Sequence, residues 1–178
     1  MQPDISDIIK HITDQFINSS SYQSCINLYR IGKVLGKGSF GKVNMAMHKL
    51  TGKLVAVKSL NKKQIKDKGS LKKVMREIDL LKMLIHPNIM HLYETFETEK
   101  HIILVTELCT GGDLLNYVRK RRKLTEDVAK VIFKQIIDGL HYIHSKSILH
   151  RDIKLDNILM NCEGEVKVYY QFRYAILE

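Results

Sequence analysis

Cysteine is scarce in this sequence. Its three copies, Cys25, Cys109 and Cys162, are odd in number and far apart. They give no metal-ligand spacing and point to a reducing compartment. No apolar run approaches the length that crosses a bilayer; the longest near the middle, Ile102 to Val105, is strand-length. The first residues, Met1-Gln2-Pro3-Asp4, have neither the basic start nor the apolar core of a secretion signal. The expectation is a soluble cytoplasmic protein without a membrane partner. Its 178 residues, 44% of them hydrophobic, suffice for one domain or two small lobes.

Charge is present in excess of one sign, at +10 net. Part of it lies in one run, Arg119-Lys120-Arg121-Arg122-Lys123. Such a run suits nucleic acid, a nuclear address or an acidic partner. No aromatic residues interleave to stack on bases, so a solvated connection between helices is the expected role, and nucleic acid is not an expected partner. The run leaves a nuclear address open.

Residues 4–17 carry Ile5, Ile8, Ile9, Ile12 and Phe16 at helical spacing, which predicts an amphipathic helix over residues 1–17. It would pack on the main body or dock a partner. Residues 18–28, with the polar stretch Asn18 to Ser24, read as a linker. From Tyr29 the pattern is strand-like. Tyr29–Leu35 runs into Gly36-Lys37-Gly38-Ser39-Phe40-Gly41-Lys42-Val43, and a turn around Thr51-Gly52 leads to Leu54-Val55-Ala56-Val57-Lys58. Three consecutive antiparallel strands are expected, with a glycine-rich bend between the first two. In a dinucleotide-binding fold the third glycine opens a helix, but here it opens a strand. A Walker-type loop needs Ser or Thr after Gly41-Lys42, but Val43 stands there. A glycine-rich hairpin remains, in which Gly36, Gly38 and Gly41 let backbone N–H groups approach phosphate oxygens without Cβ clashes.

A helix is expected over Leu71–Leu84, with Val74, Ile78 and Leu81 inward and Glu77 on it; His86-Pro87-Asn88 ends it. Two strands come next, about Ile89–Phe96 and His101–Leu108. Glu107-Leu108-Cys109-Thr110-Gly111-Gly112-Asp113 reads as a hinge, where Asp113 could equally cap a helix from Leu114 to Arg119. Thr125 to about His144 is the longest periodic segment, with Ala129, Ile132, Phe133, Ile136, Ile137, Leu140 and Ile143 in one stripe. It delivers the chain to His150-Arg151-Asp152-Ile153-Lys154-Leu155-Asp156-Asn157, a polar stretch flanked by Ile148-Leu149 and Ile158-Leu159-Met160. A hairpin with Asn161-Cys162-Glu163-Gly164 at its turn leads to Val166–Val168.

The stretch His150–Asn157 matches the catalytic loop H-R-D-[LI]-K-x-x-N, and the glycine-rich hairpin fits G-x-G-x-x-G-x-V. Over residues 29–168 the chain resembles a eukaryotic serine/threonine protein kinase. It is similar to the calmodulin-dependent and AMP-activated group in Leu35-Gly-Lys-Gly-Ser-Phe-Gly, His86-Pro-Asn-Ile and Glu107-Leu-Cys-Thr-Gly-Gly-Asp. The resemblance implies an α+β fold. It has an N-lobe over residues 29–106, with a five-stranded antiparallel sheet and one main helix. A hinge and an incomplete, mainly helical C-lobe span 107–168, and then comes a tail, 169–178, unlike any kinase element.

It implies ATP and Mg2+ as cofactors and Ser or Thr of a protein as substrate. Leu35, Gly36, Lys37, Gly38, Ser39, Phe40, Gly41, Val43, Ala56 and Leu159 would surround the nucleotide. Lys58, paired with Glu77, would hold the α- and β-phosphates. Backbone at Glu107 and Cys109 would meet the adenine edge behind a gatekeeper Thr106, and Asp113 would meet the ribose. Asp152 would receive or orient the substrate hydroxyl proton, Lys154 would stabilise the transferred phosphoryl group and Asn157 would bind magnesium.

The sequence also departs from the pattern. Asp-Phe-Gly should come within two residues of Val168, yet the sequence reads Tyr169-Tyr170-Gln171-Phe172, and no Asp occurs after Asp156. The family's principal magnesium ligand is thereby missing, with the activation segment and the helices that support the loop. Three readings stay open: a truncated kinase inactive by itself, a catalytically dead module that binds nucleotide or a partner through its N-lobe, and a nonfunctional product with an unrelated tail; a partner could also complete the C-lobe.

Overall fold

The computed structural model describes residues 26–38, 41–65 and 68–169. The helix expected over 1–17, most of the linker, Ser39, Phe40 and the tail from residue 170 lie outside the described residues.

Five strands form the upper sheet: β1 (Tyr29–Gly38), β2 (Gly41–His48), β3 (Leu54–Asn61), β4 (Leu92–Glu97) and β5 (His101–Glu107), in the order β1-β2-β3-β5-β4 with every pair antiparallel. The expected five-stranded sheet is present. Residue alternation sends Ile103 and Val105 of β5 to one face, with Tyr29, Val55 and Val57. Ile102 and Leu104 go to the other, with Leu60 and helix α1 (Lys68–Lys82). A strand covered on both faces reads as a continuous apolar run, which is what Ile102 to Val105 does.

On α1, Val74, Ile78 and Leu81 are buried at 2%, 0% and 8%, as their spacing predicts. The strand expected from Ile89 starts later, at Leu92. Ile89 makes instead a parallel bridge with Val168. Asn88 directs this detour: its O accepts from Val168 N at 2.8 Å, and its Nδ2 donates to Val166 O at 3.0 Å and to Gln135 Oε1 at 3.1 Å.

The lower part contains α2 (Leu114–Arg121), α3 (Glu126–Ser145) and a three-stranded sheet of β6 (Gly112–Asp113), β7 (Ile158–Met160) and β8 (Val166–Val168). Thr125 caps α3, accepting from Val128 N at 3.5 Å, with Glu126 and Asp127 in the first turn. A Cβ at Gly139 of α3 would lie 2.9 Å from Asn88 O, so only glycine lets the helix approach that segment. The α3 stripe divides. Ile132 and Ile143 are buried, whereas Phe133 is 62% exposed and Ile137 45%. The basic run forms the exposed last turn of α2 and its connection to α3, with the Arg121 guanidinium 3.7 Å from the Tyr117 ring centroid. No helix among the described residues is long and apolar enough to cross a membrane.

Candidate functional site

A cleft of about 590 Å3 opens between the sheet and the lower part, a volume suited to a small molecule. Its roof is the hairpin of β1 and β2. Leu35, Gly36, Lys37, Gly41 and Val43 all line it. A Cβ on Gly41 would fall 1.7 Å from Ser59 O, so the close packing of β2 on β3 itself demands glycine there. A Cβ on Gly36 would meet nothing within 4 Å, so no protein contact requires that glycine.

The register sets the wall. Val43 pairs with Lys58 and Lys58 with Leu104, while Ala56 pairs with Thr106. Paired residues share a face, so these side chains meet at the cleft. All five line it, and Leu81, Met90 and Leu92 extend its apolar lining. Glu77 is partly buried on α1 with its Oε2 inside the protein, but it is not among the cleft-lining residues.

The hinge is braced by its own side chains. Glu107 Oε1 accepts from His91 N at 2.7 Å, and Glu107 Oε2 lies 3.3 Å from Lys167 Nζ. Lys167, on β8, is buried at 8% exposure and also meets Glu165 at 3.6 Å. The pair clamps the hinge onto the lower sheet. Burial, with the Glu107 charge added, pushes the Cys109 thiol up to about 12. Asp113 lines the cleft, yet it also caps α2. Its Oδ1 accepts from Asn116 N at 2.8 Å and its Oδ2 from Asn116 Nδ2 at 2.7 Å. Of its two expected roles, the structure displays the cap.

The floor is the polar loop before β7. Asp152 and Asn157 are buried at 8% and 3%, and Lys154 is exposed. Asn157 Nδ2 donates to both Asp152 O and Asp152 Oδ2 at 2.8 Å, and Lys154 Nζ stands 3.4 Å from Asp152 Oδ2. Arg151 holds the loop's tight bend with φ of 60°, a conformation uncommon outside glycine. His150 is buried and ties the loop to the backbone just beyond β8. Its Nδ1 accepts from Asp152 N at 3.2 Å, which leaves Nε2 to donate to Tyr169 O at 2.9 Å. Burial holds the His150 pKa below its usual value, against the opposing pull of the Tyr169 carbonyl and Asp152.

Tyr169 is the residue sequence reasoning missed. Counted with the tail, it lies in the cleft, where its hydroxyl accepts from Lys58 Nζ at 2.6 Å. Its N donates to Asn157 O at 2.8 Å. No local signal marks it, because the contact spans 111 positions. Lys154, Asn157 and Leu159 line the same cleft, so the structure gathers most expected site residues around one cavity; Asp152 is not among the lining residues but is bonded to Asn157.

A strand hairpin over a cleft, a lysine on its third strand, a hinge and a buried Asp–Asn loop below define a phosphotransferase-type nucleotide fold. The protein kinase domain model matches residues 29–169, and the chain belongs to that family. It is 46% identical over 140 residues to the SNF1-related protein kinase catalytic subunit alpha KIN12 of Arabidopsis thaliana, covering 79% of this chain and 28% of that protein. To the serine/threonine protein kinases OSK3 and OSK4 of Oryza sativa subsp. indica it is 42% identical over 147 residues, 83% of this chain and 29% of each. These relatives agree with the AMP-activated group that the motifs resemble, and the chain spans less than a third of their length.

Kinase domains generally use ATP and Mg2+. The apolar lining of Val43, Ala56, Leu104 and Leu159 suits a flat apolar ring such as adenine. The donor set is poorer for magnesium, which favours carboxylate oxygens in octahedral array. Among the described residues no group of three or more His, Cys, Asp or Glu side chains could hold a metal. Asp152 Oδ2 is taken by Asn157 Nδ2 and faces Lys154, so only Asn157 Oδ1 remains of that amide for the metal role expected of it.

Proposed function

We propose that this chain carries the nucleotide-binding and catalytic-loop part of an ATP-dependent serine/threonine protein kinase, and that by itself it binds nucleotide but transfers phosphate at most slowly. The observation that carries this reading is the convergence of Lys58, Lys154, Asn157 and the hinge on one cleft. Adenine would lie between Val43, Ala56 and Leu159 against backbone at Glu107 and Cys109. Lys58, with Glu77 as its expected partner, would meet the phosphates. Asp152 would orient the hydroxyl of a protein Ser or Thr, its carboxylate fixed by Asn157. Slow transfer is expected from the thin donor set for a metal, because charge neutralisation at the phosphates supplies much of the rate in this chemistry. The protein substrate, and a partner covering the exposed side of α3, belong to the same proposal.

The test is hydrogen exchange of the 178-residue chain with and without ATP, beside a phosphate-transfer assay on Ser/Thr peptides. Protection over residues 36–43 and 106–109, with transfer near background and unaltered by Asp152→Asn, is the expected result. Absence of protection removes the nucleotide-binding reading. Robust transfer abolished by Asp152→Asn would make the chain a self-sufficient kinase.

A further inference from the structure

The phosphate end of the cleft already holds a neutral oxygen. We propose that Tyr169 is a specificity-determining residue that turns the cleft toward uncharged adenine nucleosides, bound without a divalent cation, and away from triphosphates. This rests on the nucleotide-binding reading above and deepens it.

Lys58 is the residue through which a kinase-type cleft attracts phosphate. Here its ammonium group donates to the Tyr169 hydroxyl at 2.6 Å and lies 5.2 Å from the ring centroid, within cation–π reach. The phenol takes one of the ammonium's three N–H donors, so a triphosphate reaching Lys58 shares that group with Tyr169 and must fit beside its ring. A nucleoside that ends at the ribose meets no such competitor. It needs only the apolar walls of Val43, Ala56 and Leu104 and the hinge, which line the cleft together with Tyr169.

The phenol is not free to swing away with its backbone. Tyr169 N is bonded to Asn157 O, and Tyr169 O to His150 Nε2. The preceding Val168 is pinned on both sides, through Val168 N to Asn88 O at 2.8 Å and Met90 N to Val168 O at 3.0 Å. Displacement therefore has to come from side-chain rotation alone. Of the carboxylates lining the cleft, Glu107 is engaged with Lys167 and Asp113 with Asn116, so Asp156 beside Asn157 would be the main anchor for a magnesium ion brought in with a phosphate.

Calorimetric titration of the 178-residue chain with adenosine and with ATP, each with and without MgCl2, tests this on the wild type, Tyr169→Phe and Tyr169→Ala. The wild type is expected to bind adenosine at least as tightly as ATP, with less than about a twofold effect of magnesium on adenosine. Tyr169→Ala should raise the ATP-to-adenosine affinity ratio about tenfold, the scale of one hydrogen bond to a charged group. Tyr169→Phe, which keeps the ring and the backbone anchors, should raise it about threefold on the same scale and carries the test if the alanine variant fails to fold. A wild type that prefers Mg·ATP by about tenfold or more, or a ratio unchanged in the folded variants, overturns the proposal while leaving nucleotide binding intact. Absence of binding by either ligand to folded protein of any form overturns the underlying reading as well.

Discussion

The upper sheet and the lower helices of this chain bury their apolar residues to different degrees. Above, both faces of β3 and β5 are covered, and Ile78, Ile102 and Val105 reach 0–1% exposure. Below, α3 buries Ile132 and Ile143 but leaves Val131, Phe133 and Ile137 at 45–62%. One buried cluster runs through both parts, joining Ile78 and Ile102 above to Ile143, Ile158 and Val166 below, so the difference lies on the outer side of α3 rather than at the centre. The Asn88 and Val168 bonds and the Glu107–Lys167 clamp add polar ties across the same junction. The polar loop from His150 to Asn157 lies in the lower part and is tied through His150 to the backbone of Tyr169, whose hydroxyl meets Lys58 across the cleft.

Substitutions separate the two halves. Ile78→Ala should cost about 4 kcal/mol in chemical denaturation, because a closed core cannot collapse around the cavity. Lys167→Ala should cost about 2 kcal/mol by leaving the partly buried Glu107 without its cation, and hydrogen exchange should loosen residues 158–168 before the upper sheet. Asp113→Ala should cost about 1 kcal/mol through loss of the α2 cap, again confined to the lower half. Phe133→Ser should change stability by no more than about 0.5 kcal/mol, since the ring is already in solvent; a large loss would show that the lower half is closed after all.

Acid offers a separate probe of the lower half. His150 is held neutral by burial, so its folded pKa lies below 6.5. Above that value both folded and unfolded forms are neutral. As pH falls from about 6.5 towards the lowered folded value, the unfolded chain takes up a proton first and stability declines. Protonation of Nδ1 also breaks the bond from Asp152 N. The expected signature is a drop in melting temperature below about pH 6.5, removed by His150→Asn. A flat profile would count against it.

Much of this architecture is legible because it rests on local rules. Alternation marks the central strands, and the spacing of Val74, Ile78 and Leu81 marks the inner face of α1. The glycine spacing with a strand after it identifies the hairpin, and the eight-residue loop identifies the family. What stays hidden depends on distant partners. Ile89 and Met90 have strand-like side chains, but Asn88 binds them to β8 rather than to β5. Asp113 suits two roles, and only the position of Asn116 decides for the cap. Lys167 looks like a solvent-facing residue of a short hairpin until Glu107 is brought beside it. Tyr169 looks like the start of an unrelated tail, yet its hydroxyl meets a lysine from the third strand.

The hinge brace also has a consequence for covalent chemistry. A thiol pushed up to about 12 carries almost no thiolate at neutral pH, and the thiolate is the reactive species. Cys109 is therefore expected to alkylate and oxidise slowly although it borders the cleft, whereas Cys162 lies on the exposed β7–β8 turn. A fluorophore or crosslinker can be placed at Cys162 with the hinge untouched, and peptide mapping after iodoacetamide should find Cys109 unmodified. If Lys167→Ala loosens the clamp, Cys109 should begin to label, which makes the silent thiol a reporter of hinge opening.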